Sequence, residues 1–213
     1  EDQTAEYISG EIAKGGKPVV GFSIEDQGGT VEVAYRAAQA AIQMLHDAGR
    51  LRPEPMPWSE FVLGVECGGS DGSSGIVSNP VTGRLADRVI DAGGTVIMSE
   101  TLELLGGEEM LGRRAVTPEV AAKVKGIIQR TLDYAAEHNL DIMGGGLTTI
   151  EEKALGAIKK GGTRLLVEVL EEGERPTKKG FVIMDAPAPG VENLTAIVSG
   201  GCHAVIFSTG KGN

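Results

Sequence analysis

Apolar and polar residues fall in blocks along this chain, and the blocks alternate in period. Short, largely apolar runs occupy residues 18–24, 61–66, 95–99, 165–169, 181–185 and 204–207. Runs of that length, without in-and-out alternation, predict strands buried on both faces. Between them, apolar residues recur at helical spacing, predicting helices over 4–14, 30–48, 80–92, 117–139, 150–160 and 191–199, with a short one at 108–114. The stop signals agree: Gly15-Gly16, Gly93-Gly94 and Gly161-Gly162 each close a predicted helix. The start signals agree too. Thr30, Thr117 and Thr149 are suited to cap helices, and Asn79 before Pro80 reads as an N-cap with proline in the first turn. Strand and helix alternate nearly throughout, so the predicted fold class is α/β: a mainly parallel, Rossmann-like sheet with helices on both faces. Residues 50–58 carry three prolines and read as an extended connector, the best place for a subdivision of one α/β core.

Composition narrows the class. The chain has 213 residues, 41% of them apolar and only 4% aromatic, with 32 glycines. That is enough apolar content for a folded core, built with small residues at helix–sheet contacts. A formal net charge of −10 with scattered Lys and Arg argues against nucleic-acid or acidic-lipid partners. No apolar run approaches the ~20 residues of a membrane span, and the polar start shows no signal peptide. Two cysteines make no disulfide framework and point to a reducing, cytoplasmic setting. The first residue is Glu1, and the last six follow directly on an apolar run, so both ends read as cut from a longer chain.

In open parallel sheets, ligands gather beyond the carboxyl ends of the strands. Polar clusters follow predicted strands at 66–74, at Glu100-Thr101, at Asp185 and at 208–211, and 144–149 opens a helix. The richest is 66–79, E-C-G-G-S-D-G-S-S-G-I-V-S-N. Its glycines admit backbone N–H groups to a ligand, Ser70, Ser73 and Ser74 offer hydroxyls, and Asp71 offers a base or a metal ligand. A plain flexible loop is the competing reading. Cys67, at a strand end, is either a buried packing residue or a soft metal ligand, since no His stands at the same rim to activate it. Glu100 and Asp185 are either strand-end acid/base groups or solvated turn carboxylates. The run Thr148-Thr149-Ile150-Glu151-Glu152-Lys153 reads first as a capping box. Residues 208–212, S-T-G-K-G, can grip a carboxylate or phosphate, or form a plain tail.

These same stretches resemble the altronate/galactarate dehydratase family of sugar-acid hydro-lyases. The similarity runs through 67–75, Asn79-Pro80 with Gly83-Arg84, Ser99-Glu100-Thr101, Arg113-Arg114-Ala115, 145–153, 160–163, 179–185 and 208–212, in order, over about 150 residues. Residues 16–25 and 146–156 also resemble the sulfolactate sulfo-lyase large subunit of that family. The resemblance implies a lyase that removes water from a sugar acid to give a 2-keto-3-deoxy acid. It implies a divalent metal, commonly Fe(II), with Mn(II) as the alternative. On that footing Asp71 and Glu100 are the candidates for acid/base or metal work, and Cys67 for metal ligation. Ser70, Ser74, Asn79, Thr148, Thr149 and Thr209 would meet substrate oxygens, and Lys153 and Lys211 would supply positive charge. The expected partners are a small anionic substrate and either further copies of the chain or an N-terminal domain or small subunit. Carbon–sulfur lysis of sulfolactate is the alternative within the family. Cys67-Gly68-Gly69-Ser70 favours the sugar-acid branch, because the sulfo-lyase pattern has Glu after Cys-Gly. A non-catalytic anion-binding module is the alternative from another class. The family carries a longer segment before Gly145-Gly146-Leu147, so residues 141–145 look abrupt.

Overall fold

A computed structural model describes residues 4–142 and 150–212, with the side chains of 150–153 outside that description. The chain divides into two compact units, Glu1–Pro55 and Met56–Asn213. The first contains two helices, α1 (Ala5–Ala13) and α2 (Thr30–Ala48). Thr4 caps α1 by accepting from the Tyr7 amide, while the cap position of α2 belongs to Gly29 rather than Thr30. The strand expected at 18–24 is absent: the segment forms no ladder, and Val20 and Ile24 are half exposed. An apolar run becomes a strand only where another strand takes up its N–H and C=O groups, and the described residues of this unit offer none.

The second unit is the α/β layer structure. Five strands, β1 (Val62–Gly68), β2 (Thr95–Met98), β3 (Leu166–Leu170), β4 (Phe181–Met184) and β5 (Ala204–Thr209), form one sheet in the order β3-β4-β2-β1-β5. Every pairing is parallel. The helices are α3 (Asn79–Asp91), α4 (Glu108–Arg114), α5 (Pro118–Glu137), α6 (Ile150–Ala157) and α7 (Gly190–Ser199). Side chains alternate across the sheet. Leu63, Val65, Met98, Phe181 and Ile183 join Val124, Ile127 and Ile128 of α5 in the larger core. Ile97, Val182 and Met184 point the other way, toward Ala196 of α7. Burial on both faces explains why these strands read as unbroken apolar runs.

Thr117 caps α5 as predicted, accepting from the Val120 amide. The stretch after β1 departs from prediction. Only Gly69–Asp71 is loop: the backbone is helical from Gly72, passes through a π-helical turn, Ser74–Ser78, and runs on into α3. Asn79 is therefore inside a helix and is not its cap. Single π turns inserted in a helix recur at functional sites.

Candidate functional site

Because every strand runs the same way, the carboxyl ends of β1, β2 and β5 meet at one rim. Cys67 is near the end of β1, and Glu100 follows Ser99 just beyond β2. Glu100 holds a left-handed backbone (φ 66°, ψ 62°) although it carries a Cβ, and its side chain is buried. Such a conformation costs on the order of 1–3 kcal/mol and persists only where neighbours fix it. They do so here. The Cys67 amide donates to Glu100 Oε2 at 2.9 Å, and the Cys67 thiol donates to Oε1 at 3.3 Å. The third member is Lys160, fully buried, whose ammonium donates to Cys67 Sγ at 3.0 Å and to Glu100 Oε2. A buried ammonium without partners would lose its proton. Burial disfavours the charged Lys160, but Cys67 and Glu100 outweigh it and hold the ammonium above its ordinary range. Burial pushes the Glu100 carboxyl up against the pull of Lys160. Burial likewise lifts the Cys67 thiol to about 11, so it stays neutral near pH 7.

Lys160 reaches the interior because the 3-10 turn after α6, Ile158–Gly161, lies hard against α3 and β2. A side chain at Gly83 would overlap the Lys159 carbonyl oxygen, and one at Gly161 would come within 2.6 Å of the Phe181 ring. The turn is then tied from both sides. Buried Asp87 of α3 accepts from the Thr163 amide at 2.7 Å and its hydroxyl at 2.9 Å. Arg114 donates to the carbonyls of Gly161 and Arg164 and stacks over Phe181 at 4.5 Å. These contacts fix the backbone around Lys160 and make its side chain hard to swing out.

Glu66 adds a second buried carboxyl. It lies next to Cys67 in β1 and so points to the opposite face, toward Gly190 at the start of α7 and the Phe207 ring. Both its oxygens are buried and have no hydrogen-bond partner among the described residues. A buried ionised carboxylate in that state is strongly disfavoured. Burial, reinforced by Glu100 and opposed by Lys160, raises its pKa from 4.5 to about 8. Glu66 therefore holds a proton at neutral pH and releases it just above.

The loop after β1 forms the outer part of the rim. Asp71 caps the following helix with Ser74 in a reciprocal pair: Asp71 Oδ1 accepts from the Ser74 amide, and Ser74 Oγ accepts from the Asp71 amide, each at 3.0 Å. The Ser73 hydroxyl also donates to Asp71 Oδ1 at 2.6 Å. These bonds, with the charge of Lys211, hold the Asp71 carboxyl below the usual range. A carboxylate so stabilised is a weak base and a good cap. The C-terminal segment packs on this loop. Gly69 C=O accepts from the Gly210 and Lys211 amides, and Thr209 Oγ1 accepts from the Gly212 amide. Asn79 is buried, with its amide donating to Gly156 O at 3.0 Å and accepting from the Ser208 hydroxyl at 2.7 Å. Ser70 is half-buried at the same edge. Asp185 accepts from Thr101 and Arg130, an ion pair that ties β4 to α5.

Of the residues expected to act together, the fold joins Cys67 directly to Glu100. Asp71, Ser74, Thr209 and Lys211 form a second group at the outer rim. Thr148 and Thr149 lie outside the described residues, as does the side chain of Lys153. Lys160 and Glu66 were missed by sequence reasoning. Lys160 sits in an apolar-periodic stretch immediately before a glycine pair, and Glu66 occupies a buried-strand position. A charged residue in each place was the signal available.

The metal implied by the family resemblance finds no seat among these side chains. A soft metal would take Cys67 as a thiolate, and the position beside its sulfur is held by the Lys160 ammonium. Among the described residues no three His, Cys, Asp or Glu side chains are grouped to hold a metal ion. Both cysteines are free. No helix among the described residues is long and apolar enough to cross a membrane.

The chain is 34% identical to an altronate dehydratase of Bacillus subtilis (strain 168), over 89% of this chain and 39% of that protein. It is 35% identical to the galactarate dehydratase (L-threo-forming) of Escherichia coli (strain K12), over 85% of this chain and 36% of that protein. It is 35% identical to the (2R)-sulfolactate sulfo-lyase subunit beta of Chromohalobacter salexigens, over 99% of this chain and 56% of that protein. The chain thus spans between about a third and somewhat over half the length of these relatives. Residues 58–213, which carry the whole parallel sheet and every member of the buried cluster, match the model of one family, and the chain belongs to it: D-galactarate/Altronate dehydratase, C-terminal.

Proposed function

We propose that this chain is the core of a hydro-lyase that dehydrates a sugar acid of the altronate or galactarate type to a 2-keto-3-deoxy acid. The observation that carries the reading is the buried Cys67–Glu100–Lys160 cluster at the carboxyl ends of adjacent parallel strands, with protonated Glu66 behind it. In such a dehydration a proton leaves the carbon next to the carboxylate and hydroxide leaves the neighbouring carbon. Together they depart as water, and the enol left behind tautomerises to the keto acid. The chemistry needs one group to take a proton and another to give one. Glu100, paired with the Lys160 ammonium, suits the first role, and Glu66, neutral near pH 7, is the second proton-bearing group, on the opposite face of β1. Lys160 keeps the charge of the site balanced as protons move. The amides and hydroxyls of the outer rim, with Lys211, suit an anionic substrate.

The proposal keeps Fe(II), or Mn(II) in its place, as a requirement of the whole enzyme rather than of the described side chains. It also keeps association with an N-terminal domain, a second subunit or further copies of the chain. The designation of the sulfo-lyase relative as a subunit beta supports that part. A cytoplasmic setting fits the two free cysteines. The test is turnover by the whole protein on altronate, galactarate and sulfolactate, with metal added and removed. Keto-acid formation from a sugar acid supports the proposal, and sulfite release from sulfolactate instead supports the carbon–sulfur lyase reading. Tight sugar-acid binding without turnover of any of the three makes the chain a binding module.

A further inference from the structure

A cavity of about 180 Å³ opens at the other end of the sheet, away from the rim described above. Val62 and Thr95, the first residues of β1 and β2, line its floor. Val62 and Cys67 are five positions apart in β1, so the two ends lie roughly 16 Å apart at the rise of a strand. Arg175, Lys178 and Lys179 line the walls, and no lining residue is acidic. In a chain of net charge −10, three cations around one cavity are a local reversal of sign.

Their partners make the reversal sharper. Lys179 donates to the Ser59 carbonyl, and Lys178 to the Val167 carbonyl at 3.4 Å, so both ammonium charges meet neutral oxygens. Arg175 has no hydrogen-bond or ion-pair partner among the described residues and lies against Gly201, another lining residue. Glu168 of β3 accepts from the amides of Thr177 and Lys178 and from the Thr177 hydroxyl. Those bonds fix the 175–179 segment and set one carboxylate against three cations, so the cavity keeps an excess of positive charge. A guanidinium free to fork, on the same cavity as two lysines, suits a phosphoryl oxyanion.

We propose that this cavity is a second ligand site that binds a small phosphoryl anion, either inorganic phosphate or the end of a phosphomonoester. Its distance from Glu100 makes the anion an effector and not the substrate, and the inference is independent of the reaction proposed above.

Calorimetric titration of the whole protein at constant ionic strength tests it, with inorganic phosphate in one arm and glycerol 3-phosphate in the other. Saturable binding in either arm is expected, and the stronger arm identifies the source. Arg175→Ala is expected to weaken binding at least about tenfold, and Arg175→Ala with Lys178→Ala to abolish it. Lys123→Ala, which removes an exposed charge from α5, is expected to leave binding unchanged. Absence of saturable binding in both arms overturns the site. So does equal weakening by Lys123→Ala, which would mean a general charge effect. Melting temperatures measured alongside confirm that the variants are folded.

Discussion

Replacing Glu66 by Gln tests whether the orphaned carboxyl is held as the acid. The unfolded chain titrates this group at its ordinary 4.5, whereas the folded chain titrates it at about 8. Between those values the folded state binds more protons than the unfolded one, so stability falls as pH rises through the window. Below pH 4.5 Glu66 contributes no such slope, and above about 8 the loss is complete. At about 1.4 kcal/mol per unit, the full shift corresponds to roughly 5 kcal/mol, an upper bound because buried charges draw on a more polarisable surrounding than a fixed interior. A working figure is about 2–4 kcal/mol. Glutamine has nearly the shape of the protonated acid and the same shortage of partners, so Glu66→Gln should be near neutral at pH 5. By pH 8.5 the variant should be more stable than the parent by that 2–4 kcal/mol. Urea denaturation at half-unit intervals from pH 5 to 9 reads the difference directly. Parallel stability curves for the two proteins across the window would refute the burial argument. Turnover should drop in the same variant if Glu66 gives the proton, and an unchanged rate would leave it a structural acid.

Lys160→Met should cost about 3–5 kcal/mol, because it strands the buried Glu100 carboxylate without its cation, and turnover should vanish; denaturant melts and the sugar-acid assay check both. Asp71→Ala should lose about 1 kcal/mol through the helix cap. Asp71→Asn should keep both stability and turnover, and loss of activity in a stable Asn variant would return Asp71 to the chemistry. Gly83→Ala should cost about 1–3 kcal/mol, since its methyl would overlap the Lys159 carbonyl; the melting temperature reports it, and an unshifted melt would show that the 3-10 turn is free to move.

Much of the sheet was readable from residue pattern, because strands buried on both faces leave unbroken apolar runs such as 61–66 and 181–185. The same rule misled at 18–24, where the run exists but no neighbouring strand takes up its backbone groups. Periodicity reports what a segment prefers to bury and says nothing of its partner. Asn79-Pro80 looked like a helix start for a related reason: those residues fit a first turn, yet the Asp71–Ser74 pair begins the helix eight residues earlier. At the rim, Cys67 and Glu100 were legible as strand ends. Their dependence on Lys160 was not, since a lysine before two glycines resembles a solvated turn. Only the close approach permitted by Gly83 and Gly161 turns that lysine inward.

The bonds that build the rim span long stretches of chain. Cys67 and Glu100 are 33 positions apart, Cys67 and Lys160 are 93 apart, and Asn79 and Ser208 are 129 apart. No local segment contains the cluster, and closing loops of that length has to precede any reward from the contacts they bring together. The site is thus a late product of folding. Helices can form and the central strands can align while Lys160 still lies in water, and the ammonium enters only when its turn docks on α3. Recovery of activity should therefore lag behind recovery of helical signal when the unfolded protein is returned to native conditions.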